Sequence, residues 1–283
     1  MNTKSTMDRS GLATCRDIEA FACGPIYPVL EQEQAYFLSY ETLFRSRQYK
    51  WPRDPLHNWS RIWEYPYVFH HLGGILHPET MPGQRIVDVG SGVTFFPFAL
   101  ARRFGAEIVC TDIDGVTEQD LLRAAACVPH RPGSVTFRRT NGTTLPFKDA
   151  SVDAVYCISV LEHIERPENL VTEIARILRP GGPFILTIDI ALEGDGEIKP
   201  DAYVCLVREI ADRFDYIAPD VTVHPASLLT SENSHYPLYP SKGTYRFRQL
   251  VKSALGLRRK RRPRLAVQGL VLRKKTLPNP CAS

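Results

Sequence analysis

A short glycine turn after an apolar stretch is the first part of this sequence with a clear chemical use. Ile86, Val87 and Val89 are apolar and β-branched, as in a buried parallel strand, and Gly90 and Gly92 follow at once. Glycines let the backbone approach a ligand with no Cβ between them. A strand, a Gly-x-Gly turn and a helix form a cradle for a nucleotide-like cofactor at the strand's carboxyl end. The alternative is a tight strand–helix turn that binds nothing.

The residues after this turn argue against a dinucleotide site. The G-x-G-x-x-G pattern places its third glycine where this chain has Phe95. From Phe95 to Phe104 the apolar spacing predicts a helix, with Pro97 in its first turn and Gly105 at its end. The turn is therefore a cofactor cradle of another kind, or a plain connection.

Alternating strands and helices must position this turn. The sequence predicts further strands at 107–111, 134–138, 152–158, 184–189 and 265–273, and helices at 117–127, 166–178 and 201–214. Such alternation predicts an α/β fold, a doubly wound and mostly parallel sheet with helices on both faces.

The segment before the sheet is rich in aromatic residues. We predict a helix over 28–47, and all three tryptophans lie between residues 51 and 63. Core packing is the favoured role for most of these aromatics. The alternative is that a few of these aromatic residues line the pocket that receives a substrate. We therefore divide the chain into an N-terminal extension and aromatic-rich helical cap (1–80), an α/β domain (81–220) and a basic C-terminal segment that supplies the last strand (221–283).

Composition limits the class of protein. The chain has 283 residues, 43% of them hydrophobic, which fits an ordinary globular core. Residues 1–10 lack an apolar run, so we expect no signal peptide, and no apolar stretch approaches a membrane helix. The seven cysteines show no CxxC pair. We therefore expect a reduced, cytoplasmic protein with neither a disulfide framework nor a metal site.

The net charge of +4 conceals an asymmetry. No acidic residue follows Glu232, whereas thirteen lysines and arginines do. A basic segment of this size suggests an anionic partner, either a nucleic acid or an anionic surface contacted peripherally. A solvated basic tail is the equally open alternative.

Several stretches together resemble class I S-adenosylmethionine-dependent methyltransferases, specifically the methyltransferase type 11 group. The matching stretches are 87–92 (VDVGSG), 111–113 (TDI), 145–155 (LPFKDASVDAV), 161–164 (LEHI) and 177–182 (ILRPGG). The resemblance implies a Rossmann-like, seven-stranded methyltransferase fold and S-adenosyl-L-methionine as cofactor. It says little about the acceptor.

The resemblance also implies roles in the cofactor site. Asp88 would order the glycine turn and face the cofactor's amino group, and Asp112 would accept hydrogen bonds from both ribose hydroxyls. Ile113 would pack on the adenine face, and Asn141 stands where the family offers an aspartate to the adenine amino group. The remaining residues assigned to the site are Gly90, Gly92, Gly142 and Ile158.

This chain departs from the family at two positions. Thr94 replaces the usual third glycine of the first loop, and Asn141 replaces the acid. Both changes are compatible with catalysis, and they are the only support for a non-catalytic scaffold with this fold.

Methyl transfer from a sulfonium is an in-line displacement, so alignment and exclusion of water are the main demands. A general base is needed only for a protonated nucleophile such as an alcohol or an ammonium. The candidates are His163, Asp189, His70 and His71, with His163 and Asp189 preferred. A structural role for His163 is the favoured alternative.

Two acceptor classes stay open. The aromatic cap favours a small molecule or glycan precursor, methylated on oxygen. The basic segment suggests RNA or another macromolecule, although no RNA-binding module is visible. Nucleic acid is therefore possible but not favoured.

Overall fold

The computed structural model describes residues 7–75, 83–131, 133–193, 196–238 and 263–276, and a mixed sheet lies at its centre. The strands are β1 (Gly11–Leu12), β2 (Arg85–Val89), β3 (Glu107–Asp112), β4 (Val135–Arg139), β5 (Ala154–Ile158), β6 (Pro183–Glu193), β7 (Phe214–Tyr216) and β8 (Arg264–Lys274). Strands β2 to β6 are parallel in the order β4-β3-β2-β5-β6. Strand β8 runs antiparallel to β6, and β1 and β7 both pair with β8.

The predicted α/β class and doubly wound sheet are confirmed, with a different strand count. The described sheet has eight strands where seven were predicted. Strand β1 has only two residues and pairs with Gln268 and Gly269 of β8. It comes from the N-terminal segment, where the sequence has no strand-like periodicity, so only its partner strand defines it.

The helices are α1 (Cys15–Cys23), α2 (Ile26–Leu38), α3 (Glu41–Phe44), α4 (Arg61–Ile75), α5 (Phe96–Phe104), α6 (Gly115–Cys127), α7 (Pro167–Ile177) and α8 (Pro200–Arg213). The single helix predicted over 28–47 is two helices, separated at Ser39 and Tyr40. Helix α6 begins two residues earlier than predicted, because the Asp114 carboxylate accepts from the Val116 amide and caps it.

Alternate residues of each strand face two different helical layers, as a buried parallel sheet requires. Val87 and Val89 of β2 belong to one hydrophobic cluster, which includes residues of α7 and α8. Ile86 of β2 belongs to the other, which includes residues of α1, α2, α4, α5 and α6. The predicted boundary at residue 80 stays a prediction, although helices on both sides of it share this second cluster.

The N-terminal aromatics are largely core, as the favoured interpretation held. Trp59, Trp63, Tyr65 and Tyr67 are all buried. Trp63 stacks on Tyr67 with ring centroids 4.4 Å apart. Gly269 of β8 meets this pair closely, because a Cβ there would lie 2.5 Å from the Tyr67 ring. Helix α4 is therefore fixed against the sheet by its aromatic side chains.

Strand order reverses at β2, which lies between β3 and β5. Ligands of open α/β sheets bind beside the carboxyl ends of the strands at this kind of reversal. The loops that follow β2 and β5 therefore mark the place where a ligand site is expected.

The predicted last strand, 265–273, is found as β8, Arg264–Lys274. Residues 239–262, which hold most of the charges of the predicted basic segment, lie outside the described residues. Among the helices that the structure does describe, none has the length and apolar character needed to cross a membrane.

Candidate cofactor and acceptor site

The turn after β2 is shaped by two glycines with positive φ angles. The amides of Gly90 and Ser91 both donate to the Thr111 carbonyl of β3, at 2.8 and 3.0 Å. Gly90 has φ +69°, and a Cβ there would lie 2.5 Å from a methyl group of Val160. Both the backbone conformation and the lack of space exclude a larger residue. The turn is therefore a backbone-lined cradle open to a ligand.

Asp112, at the end of β3, ties this turn to the next loop. Its Oδ2 accepts from the Gly92 amide at 3.1 Å, and its Oδ1 accepts from the Asp114 amide at 3.0 Å. An ionised carboxylate has about four acceptor positions, so both oxygens keep capacity for a ligand's hydroxyls. The predicted ribose contact is compatible with this geometry.

Asp88, at the end of β2, is a buried carboxyl group with one hydrogen-bond donor. The Tyr156 hydroxyl donates to its Oδ2 at 2.8 Å. Burial raises the pKa of Asp88 to about 7, the Tyr156 hydrogen bond opposes that rise, and the neighbouring Asp112 adds to it. A cationic ligand beside Asp88 would favour its ionised form, so the group suits a cofactor that carries an ammonium.

The loop after β4 requires one correction. The Asn141 amide oxygen accepts four hydrogen bonds within its own loop, from the amides and hydroxyls of Thr143 and Thr144 at 2.8–3.0 Å. Asn141 does not line the cavity, whereas Thr140 and Gly142 do. The predicted contact of Asn141 with adenine therefore lacks support, because the side chain holds the loop instead. Ile113 lines the cavity with 61% of its surface exposed, as an adenine-packing residue would.

Trp51 covers the glycine turn from the N-terminal segment. A Cβ on Gly92 would lie 3.2 Å from its ring, and the Lys50 ammonium lies 5.4 Å from the ring centroid. Lys50 also forms an ion pair with Asp114. The buried Trp51 Nε1 has no hydrogen-bond partner among the described residues. Sequence reasoning missed this residue because nothing in its spacing links it to a turn forty residues later.

A buried ion pair lies at the other end of the cavity. Arg61 and Glu64 of α4 form a salt bridge in which Glu64 is fully buried and the Arg61 side chain is 26% exposed. Glu64 Oε1 also accepts from the Ser159 hydroxyl at 2.6 Å and from the Thr187 hydroxyl at 2.5 Å. Ser159 follows β5 with φ +47°, an uncommon conformation for a residue other than glycine. One carboxylate thus joins α4, β5 and β6.

Asp189 and Glu162 lie beside this network as two further carboxyl groups. The Asp189 amide donates to Glu162 Oε1 at 3.3 Å. Asp189 Oδ1 and Glu162 Oε2 are buried and have no hydrogen-bond partner among the described residues. Burial and the nearby carboxylates raise the pKa of Asp189 well above its usual range, and burial raises that of Glu162 to about 7. Asp189 lines the cavity and can accept a proton there.

His163, the other preferred base candidate, is more exposed than Asp189. The His163 side chain is 54% exposed and forms an ion pair with Glu197 through Nδ1. It lines the cavity at the rim. His70 and His71, the other histidine candidates, do not line it.

These groups share one cavity of about 670 Å³. Apart from Asn141, His70 and His71, every predicted site residue lines it: Asp88, Gly90, Gly92, Asp112, Ile113, Gly142, Ile158, His163 and Asp189. Residues that sequence reasoning did not assign line it as well: Trp51, Trp59, Arg61, Thr94, Tyr156, Ser159 and Leu265. Apart from Thr94, which belongs to the glycine turn, they come from parts of the chain that no local motif connects to that turn.

Comparison with known proteins finds a family match for the middle part of the chain. A model of the methyltransferase domain family matches residues 87–186. An uncharacterised methyltransferase of Mycobacterium sp. (strain JLS) is 38% identical over 115 residues, which cover 40% of this chain and 42% of that protein. A second, of Mycolicibacterium vanbaalenii, is 35% identical over 114 residues, with the same coverage. The chain thus matches less than half the length of these relatives.

Solved structures agree on the fold alone. The cyclase SpnF superposes with a TM-score of 0.51 at 17% identity, over 94% of this chain and 99% of that one. The MccD protein gives a TM-score of 0.51 at 14% identity, over 75% and 97%. The first of these is named for a reaction other than methyl transfer, so the fold by itself does not fix the chemistry.

The family match confirms the predicted class at the level of the domain. Residues 87–186 form a domain of the methyltransferase type 11 group, a family of S-adenosylmethionine-dependent methyltransferases. The predicted enzyme class and cofactor are confirmed at the same level.

Proposed function

We propose that the whole chain is an S-adenosylmethionine-dependent methyltransferase that acts on oxygen in a small molecule or glycan precursor. The observation that carries this proposal is the continuity of one cavity from the glycine turn to the buried carboxyl group of Asp189. Its volume of about 670 Å³ lies within the usual range of small-molecule sites, about 300–1,000 Å³. One end fits the cofactor and the other fits a compact acceptor.

When bound, S-adenosylmethionine supplies an activated methyl group on a sulfonium. The chain's own residues would hold it at the cofactor end. Asp112 would accept hydrogen bonds from ribose hydroxyls, and the ionised Asp88 would favour the cofactor's ammonium. Gly90 and Gly92 provide the close backbone approach that a bulky turn would prevent. Trp51 covers this end and would exclude water from it.

Carboxyl groups and paired charges at the other end favour a neutral acceptor. Asp189 and Glu197 line this end, and among the described lining residues there Arg61 is paired with Glu64 and His163 contacts Glu197. An acceptor hydroxyl can donate to the unpartnered Oδ1 of Asp189. Because burial raises its pKa, Asp189 would be a stronger base than an exposed carboxylate and could take the hydroxyl proton as the methyl group arrives. His163 is the second candidate for this role.

The size of the cavity speaks against RNA as the acceptor, because its volume of about 670 Å³ fits a compact molecule. The basic segment that suggested RNA lies largely outside the described residues, so its role stays a prediction.

Two measurements test the proposal. Calorimetric titration with S-adenosylmethionine and S-adenosylhomocysteine should give binding of both, and Asp112→Ala should weaken it. The enzyme is then incubated with S-adenosylmethionine carrying a labelled methyl group and with hydroxylated small molecules, amines or RNA. Label in a hydroxylated compound supports the proposal. Binding without transfer to any acceptor favours the scaffold, and salt-sensitive labelling of RNA favours the macromolecular alternative.

A further inference from the structure

A second group of chemically active side chains lies away from the cavity, where the N-terminal segment meets α4. Asp8, His70 and His71 each place a ligand atom within 4.8 Å of the other two. None of the three lines the cavity described above. The Asp8 carboxylate and His70 Nε2 are 2.6 Å apart, so these two groups already contact each other.

The orientation of His71 is the second observation. Its side chain is buried, with 9% of the residue exposed, and its ring makes a hydrogen bond with the Met7 backbone. Its Nε2 is buried and has no hydrogen-bond partner among the described residues. A ring held through one nitrogen presents the lone pair of the other, which is how metal-binding histidines are fixed by an outer hydrogen bond.

The donor set indicates which ion would fit. Two imidazole nitrogens and one carboxylate oxygen suit Zn²⁺ and neighbouring divalent transition metals, whereas Ca²⁺ and Mg²⁺ prefer oxygen ligands throughout. A buried nitrogen without a hydrogen-bond partner destabilises the folded state. A bound cation would remove that destabilisation and would attract the Asp8 carboxylate.

We propose that Asp8, His70 and His71 form a binding site for Zn²⁺ or a similar divalent transition metal. The site connects the N-terminal segment to α4, close to contacts that already join them. The Tyr67 hydroxyl donates to the Arg9 carbonyl at 3.0 Å, and Arg9 pairs with Asp17 at 2.6 Å. The metal would therefore stabilise the attachment of β1 and α1 to the body of the protein. This site is independent of the proposed methyl transfer.

Cobalt is the probe, because Co²⁺ replaces Zn²⁺ and absorbs visible light when coordinated. The metal-free full-length protein is titrated with Co²⁺ and then with Zn²⁺. We expect one equivalent of Co²⁺ to produce visible bands that Zn²⁺ abolishes, without the thiolate charge-transfer band that the exposed Cys23 or Cys205 would add. Zn²⁺ should also raise the midpoint of thermal unfolding, because it binds the folded state.

Three variants locate the site. Asp8→Asn and His70→Ala change partly exposed residues and should each weaken Co²⁺ affinity by at least about tenfold. His57→Ala is the matched control, because His57 also pairs with an aspartate, Asp54 at 2.7 Å, and belongs to no three-ligand group among the described residues. It should leave Co²⁺ binding unchanged.

Two results would overturn the proposal. One is the absence of Co²⁺ bands and of a Zn²⁺-dependent thermal shift in the wild-type protein, which would leave Asp8 and His70 as an ordinary ion pair. The other is stoichiometric binding that survives both Asp8→Asn and His70→Ala, which would place the metal elsewhere.

Discussion

The two ends of the cavity are built in different ways. At the cofactor end, Asp88 and Asp112 lie at the ends of β2 and β3 beside the glycine turn, and the backbone amides of Gly92 and Asp114 donate to Asp112. At the acceptor end, Glu64 contacts Ser159 and Thr187 across separations of 95 and 123 residues. The first end is encoded by a local motif, and the second exists only when α4, β5 and β6 pack together.

This difference explains why the family match describes one end better than the other. The matched region, 87–186, contains the cofactor turn and the end of β5 but neither α4 nor Asp189. Residues outside it, including Arg61 and Asp189, line the acceptor end. Proteins that share the domain can therefore share a cofactor and differ in acceptor.

The largest effect is expected from Gly90→Ala. A Cβ at this position would lie 2.5 Å from Val160 on a backbone with φ +69°. Left-handed strain costs about 1–2 kcal/mol and overpacking adds about 1–3 kcal/mol. We expect the free energy of unfolding, measured in urea, to fall by about 2–5 kcal/mol.

Gly105→Ala is the matched control for this change. Gly105 has φ +65°, and a Cβ there would meet nothing within 4 Å. Gly105→Ala should therefore lower the free energy of unfolding only by the cost of left-handed backbone strain. The double variant Gly90→Ala, Val160→Ala should regain part of the loss. Equal costs at Gly90 and Gly105 would show that Val160 does not confine the cofactor turn.

Glu64→Gln tests the acceptor end. It leaves Arg61 without its charged partner in a largely buried position. Breaking a buried pair costs about 3–5 kcal/mol, and the partial exposure of Arg61 reduces this to about 2–4 kcal/mol. Urea unfolding measures the loss, and the affinity for S-adenosylhomocysteine should stay the same.

Glu193→Gln is the control for that charge change. The Glu193 side chain is 73% exposed, and its carboxylate lies 3.7 Å from the Arg264 guanidinium. Removing its charge should therefore change the free energy of unfolding only slightly. Adding Arg61→Met to Glu64→Gln should restore part of the stability. A cofactor affinity that falls together with stability would mean that the two ends are not separate units.

Asp112→Ala addresses the cofactor end again, with a smaller effect. It removes the acceptor of the Gly92 and Asp114 amides as well as the proposed ribose contacts. We expect binding of S-adenosylmethionine to weaken by about 1–3 kcal/mol in calorimetry. Asp114→Asn keeps a side-chain oxygen that can cap α6, so it should change the affinity for S-adenosylmethionine far less. Unchanged affinity in Asp112→Ala would remove the ribose assignment.

The Asp88 carboxyl group predicts a pH dependence of cofactor binding. Because its pKa in the free protein is about 7, it is protonated below that pH, and a bound ammonium favours its ionised form. Affinity for S-adenosylhomocysteine should therefore rise between pH 6 and pH 8, by up to about tenfold per unit below the pKa.

Two variants assign that titration. Asp88→Asn should abolish the rise. Tyr156→Phe removes the hydrogen bond that lowers the pKa of Asp88, so it should move the rise to higher pH. A pH profile that persists in Asp88→Asn would assign the titration to another group, such as Glu162.

The smallest effect is expected from Asn141→Asp. An aspartate oxygen can accept the same hydrogen bonds from Thr143 and Thr144, so the loop should keep its shape. Cofactor affinity should then change by less than about 0.5 kcal/mol. A clear gain in affinity would show that this side chain faces adenine, as the family pattern implied.

Much of the cofactor end could be predicted because its signals are local. Two glycines after an apolar strand need no distant partner to be recognised, and Asp112 follows its strand in the same way. Asn141 is the exception. Its own loop engages its amide oxygen, and sequence alone does not distinguish a side chain that holds a loop from one that contacts a ligand.

The metal proposal illustrates the same limit. The lack of paired cysteines led to the expectation of no metal site, yet the three candidate ligands lie on two segments separated by 62 residues. Two adjacent histidines in a helix do not predict a metal site unless a third ligand can be identified.

The sequence by itself therefore determined the α/β class, the mostly parallel sheet, the glycine turn and the acids at the ends of the strands. These features depend on alternation, on β-branched residues and on glycine's conformational freedom, all of which act over a few residues. The tertiary structure decided the partners of Glu64, the cover that Trp51 forms and the meeting of Asp8 with α4. Those contacts depend on how distant segments pack together. That packing depends on the shapes of the side chains and on which of them are buried, and neither can be read from a linear pattern.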